Sequence, residues 1–235
     1  MRNVFVRGAV SGAAAGLATS LAAYFFLEPT LDAAIALEGP SDGGGPVGRE
    51  TQKLLGMPLG FVFAGLALGL LFAFAYRVLP SRTEPWQRSL GLAAGGFAAL
   101  ALIPALRYPA NPPGVGDPET IAGRTSGYLL AVALGVLVVT GSYGAVRALR
   151  ARGVSAPVRQ SAVVVLAVLV VAVGFALLPD NTDPVGAPAA LVWEFRIRSL
   201  GLLVLLYAVL GATFGALSLR AQPAGAASRS AELLV

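Results

Sequence analysis

The side chains that could do chemistry in this chain are oxygen donors, because it contains neither cysteine nor histidine. Ten of its 12 acidic residues lie in three polar segments between apolar runs. Carboxylate and carbonyl oxygens suit hard divalent cations, whereas thiolate metal sites, disulfides and Cys-His or Ser-His catalytic pairs are excluded. We therefore predict a site that attracts or weakly ligates a metal cation. Its candidate residues are Asp117, Asn111, Asp180, Asn181, Glu119 and Glu28.

Some of the acids have an alternative, structural role, because cations stand near them in the sequence. A cation at a helix N-terminus opposes the helix dipole, so a carboxylate beside it is favourable. Both roles remain open at this point. The expected pairs are Glu50 with Arg49 or Lys53, Glu119 with Arg124, and Glu194 with Arg196 or Arg198.

One motif points towards catalysis, the GxGD sequence that ends at Asp117, which is typical of intramembrane aspartyl proteases. Their mechanism needs two aspartates that share a proton in a water-filled cavity. No second aspartate lies within an apolar run, and Pro118 follows Asp117 directly. A phosphate-binding Gly-x-x-x-x-Gly-Lys-Ser/Thr loop is also absent. We therefore expect neither an enzyme nor a resident cofactor.

Six apolar runs must position these polar segments. Only 12% of the residues are charged, against about 25% in an ordinary soluble domain. Each run is near the about 20 residues that cross a bilayer. We predict an all-α integral membrane protein with a single membrane domain, residues 1–220, and a disordered cytoplasmic tail, residues 221–235. The predicted helices are residues 4–27, 54–79, 89–106, 125–148, 160–178 and 199–219.

The polar segment PANPPGVGDPETIAGRTSG, residues 109–127, has an echo 70 residues later in PDNTDPVGAP, residues 179–188. A fainter third echo is the Pro-Val-Gly sequence at residues 46–48. Pro/Gly-rich loops at a near-constant period between apolar helices predict three repeated helical hairpins.

Charge predicts the orientation of these hairpins. With the N-terminus and C-terminus both inside, the inner segments hold eleven of the 17 cations and the outer segments ten of the 12 acids. This distribution satisfies the positive-inside rule for every hairpin. The cations flank apolar runs without an aromatic-interleaved patch, so we expect no binding of nucleic acid. The expected surroundings are a lipid bilayer.

Glycines at four-residue spacing predict close helix packing, since small residues let backbones approach in a membrane. In a Gly-rich chain such pairs also arise by chance. The fifth helix has few small residues and is expected to face lipid. The predicted packing faces are Gly8, Gly12 and Gly16, then Gly65 with Gly69, Gly91 with Gly95, and Gly211 with Gly215.

The run LRYPANPPGVGDPETIAGRTSGYL, the later LVWEFRIRSLG and the helix order between them resemble the CbtA family of the actinobacterial type. The resemblance covers nearly all of the chain up to Arg220. It implies a multi-pass transporter subunit of the bacterial plasma membrane, with cobalt uptake as the activity. A non-transporting scaffold or assembly subunit that binds a partner protein is the alternative.

The chain departs from the family pattern in its first outer loop. Many CbtA-like proteins carry histidines there, whereas this chain has the histidine-free sequence EGPSDGGGPVG, residues 38–48. Cobalt(II) favours imidazole over oxygen-only sites. The resemblance therefore implies a partner that supplies imidazoles, a small His-rich CbtB-like subunit.

Overall fold

The structure is a computed structural model that describes residues 2–37, 48–79, 81, 83–180 and 186–221. Asn181, residues 38–47 of the first loop and residues 222–235 of the predicted tail lie outside the described residues. All regular structure within them is helical. The helices are α1 (Arg2–Phe26), α2 (Glu28–Ile35), α3 (Arg49–Val78), α4 (Pro85–Arg107), α5 (Ile121–Ala151), α6 (Ala156–Leu177) and α7 (Ala189–Arg220).

Six of the described helices, all except α2, are long and apolar enough to cross a membrane. This confirms the prediction of an all-helical protein with six candidate spans. Several helices are longer than the apolar runs, since α5 has 31 residues and α7 has 32. At 1.5 Å per residue these helices measure about 47 Å, which exceeds the ~30 Å hydrocarbon core. The apolar runs mark the hydrocarbon portion, and the helices continue through charged flanks because helical hydrogen bonds still satisfy the backbone there.

Contacts divide the chain into two compact units. Unit 1 comprises residues 1–24, 44–94 and 204–235, and unit 2 comprises residues 25–43 and 95–203.

Unit 1 is built on direct backbone contact between α1 and α3. A Cβ atom added at Gly8, Gly12 or Gly16 would collide with the backbone of Gly69, Gly65 or Phe61, respectively. Residue numbers rise along α1 as they fall along α3, so the two helices are antiparallel. The glycine faces predicted on these two helices are confirmed.

Unit 1 contains a cluster of aromatic side chains around Phe214 of α7, which is fully buried. Its ring centroid is 5.0 Å from that of Phe72 and 4.9 Å from that of Tyr76, both on α3. Beside them, Gly211 and Gly215 pack against α4, where added Cβ atoms would lie 2.6 Å from Ala93 Cβ and 2.9 Å from Trp86 Cε3. The glycine face predicted for Gly211 and Gly215 is therefore also confirmed.

In unit 2, glycines likewise allow α5 to pack closely against neighbouring helices. A Cβ atom at Gly135 of α5 would collide with the carbonyl of Ala99 in α4, and one at Gly174 of α6 would collide with the Leu134 side chain. A Cβ atom added at Gly95 would lie 3.2 Å from Val139 Cγ1. A Cβ atom added at Gly91 would have no atom of the described residues within 4 Å. The packing role predicted for Gly91 is wrong, since the spacing alone does not tell which face of α4 meets a neighbour.

The contact surface of α4 with α5 contains a π-helical segment, Ala98–Leu102, followed by Pro104. Proline has no N–H to donate to the carbonyl of Leu100, four residues earlier. The hydroxyl of Tyr128 on α5 donates to that oxygen at 3.4 Å.

In α6, only 6% of the most apolar 18-residue window is buried within the chain, in keeping with the expectation that the fifth span faces lipid.

We expect Gly12→Ala to lower the free energy of unfolding by about 1–3 kcal/mol, because the new methyl group must separate α1 from α3. Gly60→Ala on α3 is the matched control, since nothing lies within 4 Å of its added Cβ atom. Thermal unfolding of the purified variants in one detergent checks both. Equal stability of the two variants would contradict the backbone contact.

Candidate functional site

The site is formed by three segments of unit 2 that follow or precede the ends of the spans. Loop 1 is defined as residues 27–43, of which residues 27–37 are described, loop 2 as residues 108–120 and loop 3 as residues 178–188. Loop 1 contains α2, and loop 2 ends in a 3-10 turn, Pro118–Thr120. Loop 3 is described at residues 178–180 and 186–188.

Loop 2 turns through two glycines, and the aspartate that follows them caps the 3-10 turn before α5. Gly114 and Gly116 have φ angles of 72° and 118°, which side chains rarely adopt. Asp117 Oδ1 accepts a hydrogen bond from the Glu119 N–H at 2.8 Å, while the Thr120 hydroxyl donates to the Asp117 carbonyl at 2.8 Å. The aspartate predicted as a metal ligand thus also caps the 3-10 turn that leads into α5.

Cavity A, of about 400 Å³, lies where the described parts of the three loops meet. Asp117 is the only ionisable side chain among the described residues that line it. The glycines in its wall contribute backbone groups only. The lining residues are Ala34 and Leu37 from loop 1, Gly114, Val115, Gly116 and Asp117 from loop 2, and Gly186 and Ala187 from loop 3.

Cavity B, of about 360 Å³, lies between loop 2, α4, α5 and α7 within unit 2. Its described lining includes Asn111, Tyr108 and Tyr128, and its one charged side chain is that of Arg124. A wall with a guanidinium and no carboxylate disfavours a cation. Arg124 also donates from Nη2 to the Asp117 carbonyl at 3.5 Å, so this guanidinium lies near both cavities. Of the two, cavity A is the one with a carboxylate among its described lining residues.

Arg107 and Tyr108 join the end of α4 to the end of α6. The Arg107 guanidinium donates to the carbonyls of Leu178 and Pro179, both at 3.1 Å, and to Asp180 Oδ1 at 2.8 Å. The Tyr108 hydroxyl donates to the Pro179 carbonyl at 2.6 Å. These carbonyls follow the last turn of α6, where the helix dipole is negative, so a cation there is favourable.

Two arginines of α7 also donate to backbone carbonyls of unit 2, one at the end of α1 and one in loop 2. Arg198 donates to the carbonyl of Phe26, the last residue of α1, at 2.7 Å and to Thr30 Oγ1 at 2.6 Å. It also pairs with Glu194, which confirms one of the expected ion pairs. Arg196 donates to the carbonyl of Ala110 at 3.2 Å.

The structure disperses the six candidate residues. Asp117 lines cavity A, whereas Asn111 lines cavity B and its Oδ1 accepts a hydrogen bond from Arg196 at 2.8 Å. The side chain of Asp180 is 83% exposed and bonded to Arg107. Glu119 is exposed within the 3-10 turn, and Glu28 is buried at the start of α2 with 5% exposure. Asn181 lies outside the described residues.

The described residues do not form a closed metal centre. Among them, no three Asp or Glu side chains are close enough together to hold an ion. What cavity A offers is one carboxylate in a wall of backbone and apolar groups. Such a site can attract a cation electrostatically without replacing most of its water.

Sequence reasoning missed the arginines that bind helix ends. Arg107, Arg196 and Arg198 stand on the face predicted to be outside, where the positive-inside rule disfavours cations. That conflict was the available signal, because a cation retained against the rule needs a specific partner. The carbonyls that supply the partner lie on other helices and leave no local pattern.

We expect Arg107→Ala to lower the melting temperature more than Asp180→Asn. The first variant leaves the Leu178 carbonyl without its donor and leaves the Pro179 carbonyl with the Tyr108 hydroxyl alone. The second variant removes only an exposed ion pair, which contributes little. Thermal unfolding in detergent measures both. If Asp180→Asn is as damaging as Arg107→Ala, the carbonyl contacts are not what stabilises this end of unit 2.

Comparison with known proteins gives one family. The family model CbtA, described as "Probable cobalt transporter subunit (CbtA)", matches residues 1–218 of the chain. No match was found among curated proteins or solved structures. With six candidate spans, the family match identifies a multi-pass membrane protein of the bacterial plasma membrane. The chain therefore belongs to the CbtA family of probable cobalt transporter subunits.

Proposed function

We propose that this chain is the membrane-spanning subunit of an uptake system for a divalent metal cation, with cobalt as the substrate. Cavity A is the entrance, and Asp117 is the carboxylate that attracts the ion. The observation that carries the proposal is the meeting of all three loops at one cavity whose ionisable lining residue is an acid. The family description supports cobalt as the ion.

The proposed orientation places the three loops outside the cell and both termini inside. It rests on the distribution of charge, with ten of the 12 acids on the loop face. An acidic outer surface raises the local concentration of cations by its electrostatic field. Asp117, Asp180, Glu119 and Glu28 all contribute to this field, whichever of them contacts the ion.

The chain needs a partner for tight binding of cobalt. It contains no histidine or cysteine, and cobalt(II) prefers imidazole to oxygen-only ligands. We propose that a small His-rich CbtB-like subunit supplies the imidazoles. In this arrangement the present chain guides the cation with oxygen groups, and the partner holds it.

We expect Asp117→Asn to lower the initial rate of cobalt uptake about three- to tenfold at limiting metal, because the charge that attracts the ion at the cavity is lost. Asparagine keeps an oxygen to accept the Glu119 N–H, so the cap on the 3-10 turn Pro118–Thr120 is retained. The measurement is accumulation of radioactive cobalt in cells that lack the gene and carry either the wild type or the variant.

Glu84→Gln is the matched control, since it removes the same charge from the segment between α3 and α4. The contact that Glu84 makes to Arg88 N–H at 2.9 Å uses its backbone carbonyl and is retained. Uptake by this variant should equal that of the wild type. Equal rates for wild type and Asp117→Asn would contradict the role of Asp117, and equal accumulation with and without the gene would contradict cobalt uptake itself.

The orientation has its own test, because the chain has no native cysteine. In intact cells we expect a membrane-impermeant thiol reagent to label Ala110→Cys in loop 2 but not Ser81→Cys between α3 and α4. Both positions are exposed in the structure. The reverse pattern of labelling would place the loops in the cytoplasm.

A second function, that of a non-transporting scaffold or assembly subunit that binds a partner protein, is favoured by the surface of α6. Almost none of its apolar window is buried within the chain, which leaves a long helix for contact with another membrane protein. If the chain is a scaffold, substitutions of Val158, Ala162 and Val165, which line a groove on α6, would abolish co-purification of the partner. Asp117→Asn would then have no effect on uptake.

A further inference from the structure

The turn between α5 and α6 in unit 2 carries a cluster of cations without acids. From residue 120 to residue 179 the sequence contains no aspartate or glutamate. Within the described part of the chain, none of the four guanidinium groups beside this turn forms an ion pair with a carboxylate. Their charge is therefore available to an anion. These turn arginines are Arg147, Arg150 and Arg152, which are exposed, and Arg159, which is half-buried.

Hydrogen bonds fix the shape of this turn. The Gly153 N–H donates to the Arg150 carbonyl at 3.1 Å, and the Val154 N–H donates to the Leu149 carbonyl at 3.1 Å. Both bonds satisfy carbonyls of the last turn of α5. From the first turns of α6, the Arg159 guanidinium donates to the Val154 carbonyl at 3.0 Å. The turn arginines are thus presented by a defined backbone, and Arg159 holds its charge against the turn.

A shallow apolar groove begins beside the turn and follows one face of α6 from Pro157 to Leu169. It measures about 640 Å³, and its described lining is six apolar residues and one serine. Within it, Val158, Val165, Leu166 and Leu169 are each more than half exposed. From Pro157 to Leu169 the helix rises about 18 Å, which is close to the about 15 Å that one leaflet contributes to the hydrocarbon core. The groove therefore has the length of an acyl chain in one leaflet.

Positive charge at one end and apolar surface along the rest match the two parts of an anionic phospholipid. Guanidinium groups bind phosphate oxygens through paired N–H donors. Basic clusters at the membrane edge of helices attract anionic headgroups. A zwitterionic lipid would fill the groove equally well, but its headgroup cation is repelled by the arginines. The charge of the turn therefore favours a lipid with a net negative headgroup.

We propose that unit 2 binds one anionic phospholipid, with its phosphate on the turn arginines and an acyl chain in the α6 groove. The lipid belongs to the leaflet in which the α5–α6 turn lies. The groove shares no described lining residue with cavity A or cavity B. The inference depends neither on the proposed uptake of cobalt nor on the proposed orientation.

The test is native mass spectrometry of the purified full-length chain in detergent, titrated with phosphatidylglycerol or with phosphatidylcholine of the same acyl chains. We expect the wild type to retain one phosphatidylglycerol and to prefer it over phosphatidylcholine. Arg150→Gln combined with Arg152→Gln should weaken binding of phosphatidylglycerol about 25-fold, since each basic residue near an anionic headgroup contributes a factor of about five. Binding of phosphatidylcholine should not change. Both side chains are exposed, so the variant should melt like the wild type when no lipid is added.

The matched control is Arg77→Gln combined with Arg220→Gln, which removes the same charge from helix ends in unit 1. It should leave the affinity for phosphatidylglycerol unchanged. Equal losses in the two double variants would show that net charge alone attracts the lipid, and would overturn the site.

Two further results would also overturn the proposal. Displacement of the lipid by glycerophosphate, which carries the phosphate without acyl chains, would mean that the turn takes a free phosphate and that the groove does not contribute. Failure of the wild type to retain phosphatidylglycerol would leave α6 to be covered by another protein. Accumulation of cobalt in cells is measured separately, so either proposal can fail while the other stands.

Discussion

The backbone carbonyls at the ends of helices constrain this structure most strongly, because a helix leaves its last carbonyls without an internal donor. Near a membrane, water is a less dependable partner for them. In unit 2 arginines take this role. Arg198 reaches the end of α1, Arg107 the end of α6, and Arg196 the segment after α4. Each contact satisfies a carbonyl and also places a cation at or just beyond the negative end of a helix.

These contacts decide which groups remain to act on a cation. The negative helix ends, which could themselves attract metal ions, are already neighboured by guanidinium groups. Asp180, the acid nearest the end of α6, is drawn into the same cluster by Arg107. The carboxylate among the described lining residues of cavity A is that of Asp117, whose backbone carbonyl accepts a hydrogen bond from Arg124 at 3.5 Å. The positive φ angles of Gly114 and Gly116 let loop 2 turn so that its backbone forms part of that wall.

The predictable parts of the fold are those that depend on local sequence patterns. The apolar runs identified six spans, and the four-residue glycine spacing identified the packing faces that carry Gly12 and Gly65. The Glu194–Arg198 pair is one of the two pairings predicted for Glu194 from the nearby cations. The early start of α7 at Ala189 did not follow, because hydropathy does not indicate how far a helix continues beyond the hydrocarbon layer.

The sequence by itself determined the class of this protein and the limits of its chemistry. A 56% hydrophobic composition with 12% charge leaves a membrane as the only solvent for these helices, and the absence of cysteine and histidine restricts its ligands to oxygen. Only the tertiary structure decided which acid faces a cavity and which one pairs with an arginine. The Arg107–Asp180 contact joins residues 73 positions apart, and the Arg198–Thr30 contact joins residues 168 apart. Pairing over such separations is set by how the helices pack, and helix packing depends on which faces meet rather than on any residue's neighbours in the chain.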